Sequence, residues 1–282
     1  MRFHCIAGLP RSGSTMLATI LRQNPRFQVA LASPIPDLLD CLMRKMSGES
    51  LWRSNFDEGG RRERMLRGLV ENYQEFLRVG GQPLVCFDHN QPWNGKLGLL
   101  DKLFPEARVI ACVREVPEIL NSMERIVREN PLEPAKLFHF NSETTVYSRV
   151  AMMMAPGTGF VAHPWEQLRE AWLGPFREKL IVVEYDELIA MPSAVLAGIY
   201  GRLGEPLFQH DFEHFYYWAE DADRRTGMLG MHRAQGPVRQ RKADTFLPPE
   251  IVRQYSGPEV HFWRPGKEEP WPTRKHPIPI PA

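Results

Sequence analysis

The sequence is poor in the residues that build metal knuckles and disulfide frameworks. Its 282 residues include four cysteines, Cys5, Cys41, Cys86 and Cys112, and no CxxC pair. Three of them sit in apolar, strand-like runs, so buried free thiols are expected rather than ligands or crosslinks. Charge of one sign is missing too. Lys and Arg total 35 against 34 Asp and Glu, a net charge of +1, which gives no global reason to bind nucleic acid or a membrane surface. Any anion site must therefore be local. No apolar run approaches the roughly 18 residues of a membrane span, and no internal repeat is present. A phosphate-loop pattern begins too early to leave room for a signal peptide, so a cytoplasmic protein is expected.

What is there is a core-forming chain, 43% hydrophobic, in which short apolar runs alternate with helical stretches, the mark of parallel βα units. Strands are expected at 3–7, 83–88, 107–113 and 180–185, with a weaker one at 29–32. Helices are expected at 15–23, 38–46, 61–79, 97–104, 118–127, 142–154 and 165–172. The fold class is thus α/β: a P-loop-type three-layer domain over residues 1–265 with a central parallel sheet and a helical insertion at about 124–179. That insertion is too long for a simple crossover and is expected to shape a second substrate's pocket. Residues 266–282 form a Pro-rich tail. His210 and His214 stand one helical turn apart, a spacing that can hold a metal; an acidic helix start explains it as well, and no metal site is assigned.

The stretch Gly8-Leu-Pro-Arg-Ser-Gly-Ser-Thr15 follows the first strand and opens the first helix. A nucleotide P-loop reads GxxxxGK[ST]; here Gly8, Gly13 and Thr15 keep that spacing while Ser14 takes the lysine slot, and the cation has moved to Arg11. In an open parallel sheet, ligands lie outside the carboxyl ends of the strands. Those ends also carry Asp88-His89-Asn90, Arg114 and Tyr185-Asp186. Ser122, on the helix after Arg114, can be aimed back toward it to make a second small anion site. Taken singly, Arg114 and Ser122 also fit a surface ion pair and a helix hydroxyl, Tyr185 a core position, Asp88 a turn cap and His89 a structural histidine.

Together these residues resemble the sulfotransferases that use 3′-phosphoadenosine 5′-phosphosulfate, especially the bacterial and protein-tyrosine branch. The resemblance rests on the loop Gly8–Thr15, on Arg114 with Ser122 after Ala107-Arg-Val-Ile-Ala-Cys-Val113, and on Val182-Val-Glu-Tyr-Asp-Glu-Leu188. It extends to Leu203-Gly-Glu-Pro206 and Leu247-Pro-Pro-Glu250. It implies that Arg11, Ser12, Gly13, Ser14 and Thr15 hold the 5′-phosphosulfate, that Arg114 and Ser122 hold the 3′-phosphate, and that Tyr185 lies against adenine. Arg241 or Lys242 closes over the 3′-phosphate. The chemistry agrees, since two anionic ends need two cationic or amide-rich sites and an adenine needs an aromatic face.

The implied reaction is metal-independent, in-line transfer of a sulfuryl group to a hydroxyl or amine, leaving adenosine 3′,5′-bisphosphate. The catalytic candidates are His89, Arg11 and Asp88. His89 replaces the family's lysine, and Val29–Pro34 offers no carboxylate where the protein-tyrosine branch has a glutamate base. His89 is therefore read as the base in preference to a cation, because Arg11 already supplies positive charge, with Asp88 next in line. Two other classes stand beside this one, a catalytically silent nucleotide-binding scaffold and an ATP-dependent small-molecule kinase. Ser14 in the lysine slot argues against the kinase. The acceptor, whether small molecule, glycan or peptide, and the oligomeric state leave no signature in the sequence.

Overall fold

The computed structural model describes residues 2–48, 53–56, 59–77, 85–141, 144–239 and 244–264. In chain order these form β1 (Arg2–Gly8), α1 (Ser14–Leu21), β2 (Phe27–Leu31), α2 (Ile35–Lys45), α3 (Arg61–Phe76), β3 (Val85–His89), α4 (Leu97–Leu103), β4 (Val109–Val113) and α5 (Val116–Glu129). There follow α6 (Val146–Met153), α7 (Ala162–Leu173), β5 (Leu180–Glu184), α8 (Tyr185–Ala190), α9 (Pro192–Leu203), β6 (Tyr216–Trp218), α10 (Glu220–Thr226), β7 (Arg233–Gln235) and α11 (Pro249–Gln254).

β1 to β5 make one parallel sheet in the order β2-β3-β1-β4-β5. Its strands are nearly continuous apolar runs because both faces are covered. Alternation sends Phe3, Cys5 and Ala7 of β1 into one core with Val109, Ala111, Leu180 and Val182, under α2, α3, α4, α5 and α7. Ile6, Phe87, Ile110, Cys112, Ile181 and Val183 fill the other core, under α1, α8 and α9. Cys5, Cys86 and Cys112 are buried free thiols and Cys41 is exposed. The weak strand expected near residue 29 is a full edge strand, because β3 gives it a five-residue partner.

The chain order reverses at β1, which lies between β3 and β4, and the crevice of such a sheet opens above that point. Between β4 and β5 run α5, α6 and α7. Glu124 of α5, fully buried, takes Arg149 of α6 in a bidentate pair at 2.8 and 2.6 Å, fastening that helix to the sheet layer. α6 and α7 bury Val150, Met153, Leu168 and Trp172 in the core. The segment around His210 is not helical as the spacing suggested: His210 is buried with Nε2 at 2.9 Å from the Tyr200 hydroxyl, while His214 is exposed beside Asp211. The two imidazoles have separate partners and share no helix face. Among the described residues no helix is long and apolar enough to cross a membrane. The tail 266–282 lies outside the described residues.

Candidate active site

The loop between β1 and α1 is held by its backbone. Gly8 has φ 109°, and a Cβ there would stand 2.0 Å from the Cys112 carbonyl oxygen of β4. Asn94, fully buried, clamps the same residue: Gly8 N–H donates to Asn94 Oδ1 at 3.0 Å and Asn94 Nδ2 donates to the Gly8 carbonyl at 2.9 Å. Gly13 has φ 86° and packs against Tyr185, whose Cδ2 would lie 2.9 Å from an added Cβ. Between them Arg11 is left-handed, at φ 57°, a conformation unusual for a residue with a Cβ and one that clusters at functional sites. No acidic residue occupies the first turn of α1, so its N-terminal N–H groups meet no negative side chain of their own helix.

A cleft of about 1190 Å³ opens over this loop, lined by Arg11, Gly13, Ser14, Thr15, His89, Arg114, Ser122 and Tyr185 among others. Two sequence candidates lie elsewhere. The Ser12 hydroxyl is buried and donates to the Leu9 and Cys112 carbonyls at 2.5 and 2.9 Å, so it ties the loop to β4 and leaves only the backbone of Ser12 for a ligand. Asp88 points to the opposite face of β3 from His89, as strand alternation requires. Fully buried, it accepts from Trp93 Nε1 at 2.6 Å, and burial pushes its carboxyl up to about 6 against hydrogen bonds from Ser33 and Trp93. Arg241 and Lys242 lie outside the described residues.

Arg11 reaches further than the loop. Its Nε donates to Ser122 Oγ at 3.1 Å and its Nη1 donates to the Met231 carbonyl. Ser122 thus touches the loop's arginine, and the two anion subsites read separately in the sequence are joined. Burial, and then the charge of Arg114, lower Arg11 to about 10, which leaves it a cation at neutral pH. Arg114 lies over the Tyr185 ring, 4.2 Å from its centroid, and meets Glu118 at 3.2 Å, while its Nε is buried without a partner. The aromatic face assigned to adenine is therefore covered by the guanidinium assigned to the 3′-phosphate. Arg11 and Arg125, both in the cleft, have no carboxylate partner among the described residues.

His89 stands at the end of β3 with Nε2 at 3.0 Å from Ser14 Oγ and Nδ1 buried and unpaired. Burial, then the nearby His232, lower it to about 4, so it is neutral at pH 7. His232 comes from a wall with no signal in the sequence, the stretch Leu229 to Gln235 that lines the cleft. Asp223 of α10, which precedes that wall, is fully buried and accepts from Trp218 Nε1 at 3.0 Å, from the Gly230 N–H at 3.1 Å and from His232 Nδ1 at 2.7 Å. Of the segment expected to shape the second pocket, Phe160 reaches the cleft together with Arg125, Ile126 and Glu129 of α5. α6 and α7 are used instead to cover the sheet.

Residues 5–210 match the model of the Sulfotransferase family. No curated protein sequence matches. Among solved structures, sulfotransferase STF9 from Mycobacterium avium superposes with a TM-score of 0.51 at 17% identity, covering 94% of this chain and 77% of that one. A sulfotransferase from Alicyclobacillus acidocaldarius gives 0.48 at 14% identity, covering 74% and 83%. Retinol dehydratase in complex with androsterone and the inactive cofactor PAP gives 0.43 at 16% identity, covering 93% and 78%.

Proposed function

Because the chain belongs to the sulfotransferase family, we propose that it transfers a sulfuryl group from 3′-phosphoadenosine 5′-phosphosulfate to a hydroxyl or amine acceptor, in line and without a metal ion. The observation that carries this reading is the loop itself. A Gly8–Thr15 phosphate cradle in which Ser14 stands in the lysine slot and Arg11 supplies the charge suits a phosphosulfate better than a magnesium-bound triphosphate. The buried, unpaired Arg114 Nε in the same cleft supports a second anionic end on the ligand.

On this reading the backbone of residues 11–15 and the N-terminus of α1 bind the 5′-phosphosulfate, with Arg11 facing the transferring group. Ser122 and Arg114 bind the 3′-phosphate. Arg114 leaves the Tyr185 face to do so, and adenine takes its place on the ring, exchanging a cation–π contact for base stacking. Arg241 or Lys242 closes over the 3′-phosphate. His89, neutral and bonded to Ser14, orients that hydroxyl toward the leaving phosphate. Asp88 supports the site from behind by fixing Trp93. A cytoplasmic location belongs to the proposal, and the buried thiols Cys5, Cys86 and Cys112 fit a reducing compartment.

The test is a thermal-shift comparison of adenosine 3′,5′-bisphosphate, ATP and NAD, each with and without magnesium. A ligand that binds the native state raises the melting temperature by mass action. The bisphosphate is expected to stabilise the protein without magnesium. Equal, magnesium-dependent stabilisation by ATP would overturn the reading in favour of a kinase.

A further inference from the structure

We propose that His232, oriented by Asp223, is the general base that takes the proton from the acceptor hydroxyl. The proposal rests on the sulfuryl-transfer reading and deepens it. Its ground is geometric. Asp223 is fully buried at the start of α10, and both its oxygens are engaged by the segment that forms the far wall of the cleft: Gly230 N–H at 3.1 Å, His232 N–H at 3.2 Å and His232 Nδ1 at 2.7 Å. Trp218 Nε1 closes the set at 3.0 Å. A carboxylate only accepts, so the hydrogen bond assigns the imidazole proton to Nδ1 and leaves Nε2 with its lone pair. The His232 side chain is 40% exposed, lines the cleft, and no group among the described residues pairs with Nε2.

His89 contrasts on each count. Its Nε2 is already engaged by Ser14 and its Nδ1 is buried without a carboxylate to stabilise a proton. Burial would raise Asp223, yet the hydrogen bonds from the His232 side chain and backbone hold it below the usual carboxylate range, so an anion stands behind His232 at neutral pH. The charged and titratable groups facing this pair include His89 from β3, Tyr217 from β6, which feels the charge of Asp223, and Arg11 from the loop, whose Nη1 is bonded to the residue before His232.

The step balances without a further reactant. Nε2 removes the acceptor O–H proton as the acceptor oxygen bonds to sulfur. The bond from sulfur to the bridging phosphate oxygen breaks, and its electron pair stays on the phosphate. The imidazolium so formed is stabilised by Asp223 and releases its proton to solvent after product leaves. A base already held in the right tautomer is expected to contribute about 10²–10⁴-fold to the rate.

The experiment uses the full chain, the labelled phosphosulfate donor and phenol as acceptor. His232→Gln is expected to lower kcat at least about 100-fold while the Kd for adenosine 3′,5′-bisphosphate stays within twofold. Asp223→Asn is expected to lower kcat and move the rising limb of the pH–rate profile to lower pH, because the imidazolium loses its anion. His89→Gln is expected to retain that rising limb. Unchanged turnover in His232→Gln, or loss of the limb in His89→Gln alone, overturns the proposal. A second readout needs no acceptor: in ¹⁵N-histidine spectra of the wild type with adenosine 3′,5′-bisphosphate, His232 is to carry its proton on Nδ1 at neutral pH. A proton on Nε2 overturns the proposal even where phenol is not sulfated. A wild type that fails to bind the bisphosphate sinks the donor reading instead, which keeps the two failures apart.

Discussion

Arg11 Nε donates to Ser122 Oγ at 3.1 Å, so the loop after β1 and the second turn of α5 hold one another. The two ends of the proposed donor therefore do not respond independently. Ser122→Ala is expected to weaken both adenosine 3′,5′-bisphosphate and adenosine 5′-phosphosulfate by about 1 kcal/mol, because it releases Arg11 as well as the 3′ subsite. Arg114→Ala is expected to cost about 1.5–3 kcal/mol for the first ligand and almost nothing for the second, which lacks the 3′-phosphate. Titration calorimetry with both nucleotides checks this, and equal losses in Arg114→Ala would remove Arg114 from the 3′ subsite.

Arg11→Lys tests the guanidinium fork. A lysine keeps the charge but cannot reach the Ser122 hydroxyl and the Met231 carbonyl together while facing a ligand. Turnover is expected to fall about 100-fold with less than a tenfold change in bisphosphate affinity. A variant with wild-type kcat would show that charge alone suffices at this position.

Gly8→Ala is expected to destabilise the fold by roughly 3 kcal/mol or more. The added carbon would sit 2.0 Å from the backbone oxygen of Cys112 at φ 109°, and the Asn94 clamp prevents the strand end from moving away. Thermal melts check it. A drop of less than about 2 °C, on the order of 1 kcal/mol for a chain of this size, would mean that β1 and β4 separate freely at that point.

Asp88 and His89 are adjacent and tilt stability in opposite directions. Asp88 is raised by burial to about 6, so the folded state holds its proton more tightly than the unfolded chain and stability falls as pH rises from about 4 to 6. His89 is lowered by burial and by His232 to about 4, so the unfolded chain holds the proton more tightly and stability rises with pH between about 4 and 6.5. Each contributes on the order of 2–3 kcal/mol across its window. His4, lowered mainly by burial to about 4, adds to the rising side. Asp88→Asn should steepen the rise of melting temperature with pH, and His89→Gln should flatten or invert it. Denaturant melts from pH 4.5 to 7.5 measure both slopes, and parallel changes in the two variants would contradict the assignment.

The sheet, and the gathering of the Gly8–Thr15 loop, Arg114 and Tyr185 at one cleft, were legible because their signals are local. A strand, a glycine-spaced loop and a helix lie within twenty residues of Phe3, and Arg114 and Tyr185 close their own apolar runs. Asn94 was not legible. A single asparagine after Gln91-Pro-Trp93 carries no pattern, and its role exists only because the β3 turn folds over the end of β1. Ser12 and Asp88 stand in the loop and at the β3 end, but side-chain direction turns both away from the cleft to structural partners. His232 opens the Arg- and Lys-rich run His232-Arg-Ala-Gln-Gly-Pro-Val-Arg-Gln-Arg-Lys242, which carries no catalytic pattern, and only its hydrogen bond to a carboxylate on α10 holds it in the cleft. Bounds shifted for the same reason: β2 became a full strand once β3 gave it a partner.

The wall from Leu229 to Gln235 has a consequence for how such a protein changes its acceptor. The buried carboxylate of Asp223, the ladder to β6 and the Asn130 amide at the Leu229 carbonyl fasten it, and the elements that carry the Gly8–Thr15 loop, Arg114 and Tyr185 all belong to the five-stranded sheet and its helices. The two sides of the cleft come from different parts of the fold and meet where Arg11 Nη1 donates to the Met231 carbonyl. Grafting that segment can therefore present a new surface to an acceptor only where Asp223 and the residues it holds travel together and the Met231 carbonyl that takes the Arg11 guanidinium is kept.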